Sequence, residues 1–204
     1  IAQVATIPHV EVYSLSTSSE AEALVTEAVE SFAKDRAAGK VPPTRIFFLG
    51  RENFPRTLVG EGAKYQLGRD QVLLDTTSEF SNAVTIVAAG SLVTEALKAA
   101  DQLREKKTGA IVIHGSSVSH PDTETIGKAL AKTGGRLVTV EDHRMQGGMG
   151  AFLVHALALK GTALKVRTLG VGEHFGQSSY TALELYKKHG LDSGAIVRAA
   201  SELG

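Results

Sequence analysis

Apolar and polar positions along this chain repeat with two alternating periods, most regularly after residue 83. Residues 83–89 (AVTIVAA) are an unbroken, largely β-branched run ending in Gly90-Ser91, the pattern of a strand buried on both faces. Behind it Leu92, Ala96, Ala99, Ala100 and Leu103 share one face of a helix. The exchange then repeats: strand over 110–114, helix over 122–132 announced by Pro121, strand over 136–141, helix over 148–159, strand over 164–169. Two helices, 180–189 and 193–203, close the chain. Apolar strands alternating with amphipathic helices predict an α/β fold of three layers, a mostly parallel sheet with helices on both faces.

The first fifty residues read as the end of another α/β unit. Residues 9–15 (HVEVYSL) alternate as a strand does, and residues 16–20 (STSSE) supply capping hydroxyls with an acid in the first turn. Ala21, Leu24, Val25, Ala28, Val29 and Phe32 then fall at helical spacing, until Gly39 and Pro42-Pro43 end the run. Residues 45–49 (RIFFL) read as a fully buried strand. Between Gly50 and Asn82 every period is broken by Pro55, Gly60, Gly62, Gly68 and the polar run 75–82. This is a connector between two units, with one extended segment near 71–74.

Composition narrows the classes. Hydrophobic residues at 43% suffice for a core, and 22 basic against 22 acidic side chains give no electrostatic case for nucleic acid or a membrane surface. The absence of cysteine removes disulfides, thiolate ligands and a cysteine nucleophile. No apolar run approaches the roughly 18 residues of a membrane span, and no charged-then-apolar leader opens the chain. A soluble, cytoplasmic α/β protein is expected. Its start at Ile1, without methionine and within sequence already folded in character, is consistent with a processed form or a fragment.

Parallel strands place their carboxyl ends along one edge, where α/β sites lie. The loops expected there carry His114, His120, Glu141, Asp142, His143 and His174, a set that could ligate a metal, although none are paired at ligand spacing within one element. Gly147-Gly148-Met149-Gly150 opens a helix and could offer backbone N–H groups to an anion. The run 170–176 (GVGEHFG) approaches a dinucleotide fingerprint but has one residue too many and no helix immediately behind it. The alternative in both places is glycine serving tight turns and close packing. Arg51, after a strand and before the Phe54-Pro55 turn, could grip a phosphate or carboxylate with its planar fork, or pair with Glu52 or Glu61.

Several longer stretches resemble one family. VTVEDHRMQGGMG between an apolar strand and an Ala/Leu helix, and VTIVAAGSLVTEALKAADQL, are similar to the C-terminal domain of transketolases. GEHFGQSSYTALELYKKHGLDSGAIVRAA resembles that domain's closing segment, and KYQLGRDQVLL its connector. IPHVEVYSLS and TRIFFLGRENFPR resemble the last strands of the preceding pyrimidine-binding domain. The E1 components of 2-oxoacid dehydrogenases and deoxyxylulose-phosphate synthases share the domain; the Arg-x-Asn-x-Pro strand end and Phe-Gly-Gln-Ser turn favour transketolase.

The resemblance implies residues 1–56 as the end of the pyrimidine-binding domain, 57–82 as connector and 83–204 as the C-terminal domain. It implies a homodimeric enzyme that moves two-carbon ketol units between sugar phosphates with thiamine diphosphate held by magnesium or calcium. Carried over by motif, Arg51 binds the sugar phosphate. Nothing in this chain matches the family's cofactor motif, its metal ligands or its catalytic glutamate, so catalytic, cofactor and metal residues are expected elsewhere and the chain alone is expected to be inactive. After the first strand the family's Pro-Ala-Asp-like turn is replaced by Leu15-Ser16-Thr17-Ser18. A free-standing anion- or nucleotide-binding module and a non-catalytic assembly domain are the alternatives.

Overall fold

The computed structural model describes residues 1–50, 55–60, 64–173 and 175–204. Strand β1 (Val10–Leu15) follows a one-turn helix α1 (Ala2–Ala5) that no periodicity announced. Helix α2 (Ser18–Ala37) is capped by the Thr17 hydroxyl, which accepts from the Glu20 amide, as the hydroxyl-rich run predicted. Strand β2 (Thr44–Leu49) returns parallel to β1, with Leu15 opposite Leu49.

The second sheet contains β3 (Gln71–Asp75), β4 (Ala83–Ala88), β5 (Gly109–His114), β6 (Arg136–Arg144) and β7 (Lys165–Val171), in the order β3-β5-β4-β6-β7. Only β3, the extended segment foreseen within the connector, runs antiparallel. Helices α3 (Val93–Glu105), α4 (Thr123–Lys132), α5 (Met149–Leu159), α6 (Ala182–His189) and α7 (Ser193–Ser201) follow the expected spacing. One core sets Leu92, Leu103, Ile196 and Leu203 against the sheet; another sets Ile126, Leu130, Leu153 and Leu157 against its opposite face. The three-layer α/β fold is therefore as the apolar pattern predicted.

The chain passes from β4 to β5 on one side, then crosses back to β6 on the other. That reversal opens a crevice beyond the carboxyl ends of β4 and β6, where open α/β sheets bind their ligands.

The two units do not stand apart. Val10 and Val12 of β1 share a core with Ile111, Ile113 and Val118. The outer edge of β1 is sealed by the segment after β5: Ser14 N donates to the Ser116 carbonyl at 2.9 Å, and Val118 N to the Val12 carbonyl at 2.8 Å.

The expectation of a fully buried β2 is corrected. Its interior residues are half-buried and Leu49 is 63% exposed, because β1 is its only partner among the described residues. The periodic face of α2 is likewise half covered. Leu24 and Ala28 are buried, while Val29 and Phe32 are 65% and 52% exposed and, with Pro43 and Phe47, line a groove of about 290 Å³. An apolar groove beside a strand with one edge unpaired among the described residues invites another chain. Sedimentation velocity is expected to show concentration-dependent association of this chain, reduced by Val29→Glu combined with Phe32→Glu. A strict monomer at high concentration would count against it.

Candidate functional site

Glu141 decides what the carboxyl edge can do. Strand β6 runs past the predicted end at residue 141 to Arg144, with its pairing to β7 shifted between Val140 and Arg144. In that irregular stretch the Glu141 side chain turns inward and is fully buried. Its two oxygens accept from the amides of Met149 (2.6 Å) and Gly150 (2.9 Å), the opening amides of α5. A helix N-terminus attracts an anion; here the chain supplies its own. Gly148 makes this possible, since a Cβ there would lie 2.1 Å from Glu141 Oε2. Burial pushes this carboxyl up to about 7, against the two amides, which favour the anion.

The other sequence-named groups diverge. His114 is buried at the end of β5 and faces β1 and α2 rather than the crevice. His120 is exposed, its Nδ1 2.9 Å from the Ser119 hydroxyl. His143 packs edge-on to Phe48 and lies 3.4 Å from Asp142; burial lowers its pKa, against the pull of that carboxylate. His174 and Arg51 lie outside the described residues. Among the described residues no three imidazole or carboxylate side chains converge as metal ligands would. Gly170 belongs to β7, where a Cβ would sit 2.8 Å from Met145 Cγ and 2.9 Å from the His143 carbonyl. Close approach, not nucleotide binding, accounts for it.

Two arrangements were not legible in the sequence. At the crevice the Tyr186 hydroxyl donates to Ser91 Oγ (2.7 Å), and the Ser91 hydroxyl donates to Asp142 Oδ2 (2.9 Å). A cavity of about 330 Å³ lies beside them, walled by Asp142, Val171, Phe175, Leu185 and Tyr186. Serine, acid and histidine do not stand in the order of a nucleophile triad: Asp142 lies between Ser91 and His143, and among the described residues the Ser91 hydroxyl donates to Asp142 rather than to that imidazole. The carboxylate and hydroxyls here can take part in hydrogen bonds with a polar group entering the crevice. The second arrangement joins Ser16, Glu20, Asp70 and His114 at the seam, with Ser16 and His114 98 residues apart along the chain. Only the tertiary fold reveals it.

With that geometry in place, a family profile described as the transketolase C-terminal domain matches residues 75–196. This chain belongs to that family. An apulose-4-phosphate transketolase subunit of Phocaeicola vulgatus is 35% identical over 157 residues, covering 76% of this chain and 46% of that protein. The 1-deoxy-D-xylulose-5-phosphate synthase of Heliobacterium modesticaldum is 33% identical over 147 residues, covering 72% of this chain and 22% of the enzyme. A solved structure titled split gene transketolase, inactive beta4 tetramer, superposes with a TM-score of 0.81 at 26% identity, over 99% of this chain and 59% of that one. This chain thus spans less than half the length of both curated relatives.

Glu141 supplies a test. Its folded pKa is raised above the unfolded value near 4.5, so its favourable contribution is complete below that value and fades as pH rises through about 7. Glu141→Gln places an NH₂ against one α5 amide and should lower stability by about 1–3 kcal/mol. Urea unfolding should find the deficit larger at pH 5 than at pH 8.5.

Proposed function

We propose that this chain is the C-terminal part of a transketolase, an enzyme that transfers two-carbon ketol units between ketose and aldose phosphates using thiamine diphosphate. The observation that carries this reading is the coincidence of a whole C-terminal-domain fold with an unfinished first unit. The family match begins at residue 75, and before it stands a two-stranded sheet with an apolar, half-covered helix. Residues 1–56 are then the end of the pyrimidine-binding domain, 57–82 a connector and 83–204 the C-terminal domain. In this reading further strands of the complete enzyme pair with the edge of β2 that is open among the described residues and cover Val29 and Phe32.

The described residues do not fit thiamine diphosphate with its magnesium or calcium ion. The carboxylates and imidazoles of the carboxyl edge diverge, and the α5 N-terminus, which could cradle a diphosphate, is filled by Glu141. No step of the cofactor's chemistry is therefore assigned to this chain, and its own role is assembly of domains in a cytoplasmic homodimer. That the apulose-4-phosphate relative is itself named as a subunit supports a division of labour among polypeptides. The similarity to deoxyxylulose-phosphate synthase supports a second reading, the corresponding domain of that related enzyme. Assay of the complete enzyme for ketol transfer between sugar phosphates separates the two.

Arg51 is the substrate residue in this reading, contributing a planar cation to the sugar phosphate. In the complete enzyme Arg51→Ala should raise KM for the sugar phosphate about tenfold or more with a smaller change in kcat. An unchanged KM would remove Arg51 from the site. For the chain alone, calorimetric titration with thiamine diphosphate and magnesium should give no saturable heat. Saturable micromolar binding would overturn the assembly role.

A further inference from the structure

The two units meet around an imidazole removed from water. His114, at the end of β5, is 1% exposed, and Glu20, in the first turn of α2, is 0% exposed. His114 Nδ1 lies 3.1 Å from Glu20 Oε1 and 3.3 Å from Ser16 Oγ, while Nε2 lies 3.2 Å from the Ser14 carbonyl oxygen. The Ser16 hydroxyl and amide both donate to Glu20 Oε2, at 3.1 and 2.8 Å. With that hydroxyl proton directed to Glu20, Nδ1 faces the Ser16 oxygen and, at ion-pair distance, Glu20 Oε1, while Nε2 faces the Ser14 carbonyl. A neutral imidazole carries one N–H and would press a lone pair against one of these oxygens. The imidazolium has an N–H for each side.

We propose that the His114 imidazolium is a proton-operated latch, locking β1 and the first turn of α2 onto the end of β5 while charged and releasing them when neutral. No catalytic role for this chain is needed for it.

The surrounding charges fix the direction. From α2 comes Glu20. From the segment before β3 comes Asp70, buried, with Oδ1 accepting from Ser117 N at 3.4 Å and Oδ2 without a hydrogen-bond partner among the described residues. Behind Asp70 stands Asp122, the N-cap of α4, which accepts from the Asp70 amide and lies 3.5 Å from the Arg69 guanidinium. Burial opposes the charge on His114, but the carboxylates of Glu20 and Asp70 outweigh it and raise its pKa. Burial also pushes the Asp70 carboxyl up to about 7, with His114 pulling the other way. For a histidine whose folded pKa exceeds its unfolded value near 6.5, the stabilisation is complete below 6.5 and lost as pH rises through the folded pKa. Loss of the Asp70 proton acts in the same sense. Rising pH therefore removes the imidazolium charge that faces the Glu20 and Asp70 carboxylates in one buried space, and the seam loosens.

The effect reaches beyond the pair. Ser19, beside Glu20, donates to the Arg56 carbonyl from its amide at 3.1 Å and from its hydroxyl at 2.5 Å, tying the chain after β2 to this same turn.

Three measurements on the whole chain test the latch. Nitrogen-15 NMR of the histidine rings should find both His114 nitrogens predominantly protonated at pH 6.5; a predominantly neutral tautomer there overturns the proposal. Between pH 6.5 and 9 the wild-type Tm should fall on the order of 5 °C further than that of His114→Gln; equal slopes overturn it. Amide exchange, normalised to intrinsic rates, should rise over residues 10–20 more than over β4 across the same interval. An equal rise in both segments would mean global loosening and would also overturn it. The first and third readings need no variant to fold.

Discussion

Two strands cannot stand alone in water, and the arrangement of this molecule follows from how β1 and β2 meet that constraint. β1 borrows a third neighbour, the segment after β5, and a second core, the face of the five-stranded sheet covered by α4 and α5. Tyr13 stacks on Phe47 across the pair, and Phe48 reaches the ring of His143. The first unit is thus built outward from the second. Among the described residues, what remains uncovered is the side that faces away from the sheet: the second edge of β2 and the outer stripe of α2.

The carboxyl edge shows how a site-like sequence can be internally consumed. An acid, an imidazole and a glycine-rich helix start within ten residues look like binding chemistry. The acid satisfies the helix start, the imidazole packs beside an aromatic ring, and the glycines admit the acid and the neighbouring strand. The buried donors must have acceptors, and the chain meets the need from within. The neighbouring crevice keeps a hydroxyl, a phenol and a carboxylate in one short chain of hydrogen bonds, which shapes the end of β4 without activating the hydroxyl.

How much could be read in advance depended on range. The strands and α-helices after residue 83 were legible: β4 and β5 are buried on two faces and leave continuous apolar runs, and α3 and α4 keep a clear apolar stripe. β3 was foreseen only as an extended segment, since its membership of the sheet rests on pairing with β5 rather than on its own five residues. β2 misled for the opposite reason: RIFFL carries the composition of a central strand, but its neighbour on one side is not among the described residues. Glu20 read as an ordinary first-turn acid, which it is, while its partner His114 lies on a different element and unit. No local period records such a pair. Arg51 was singled out by motif and lies outside the described residues, so its role rests on the family reading.

Glu141 and Gly148 also bear on how such a chain can change over time. The acid needs the bare backbone opposite it, and a side chain at the glycine would evict the carboxylate from the amides it serves. Neither position has an easy single step away from its present residue, because altering one strands the other. A stretch locked in this way drifts slowly whether or not it touches a substrate. A packing requirement of this kind can hold a segment's residues in place by itself, whatever else the segment does.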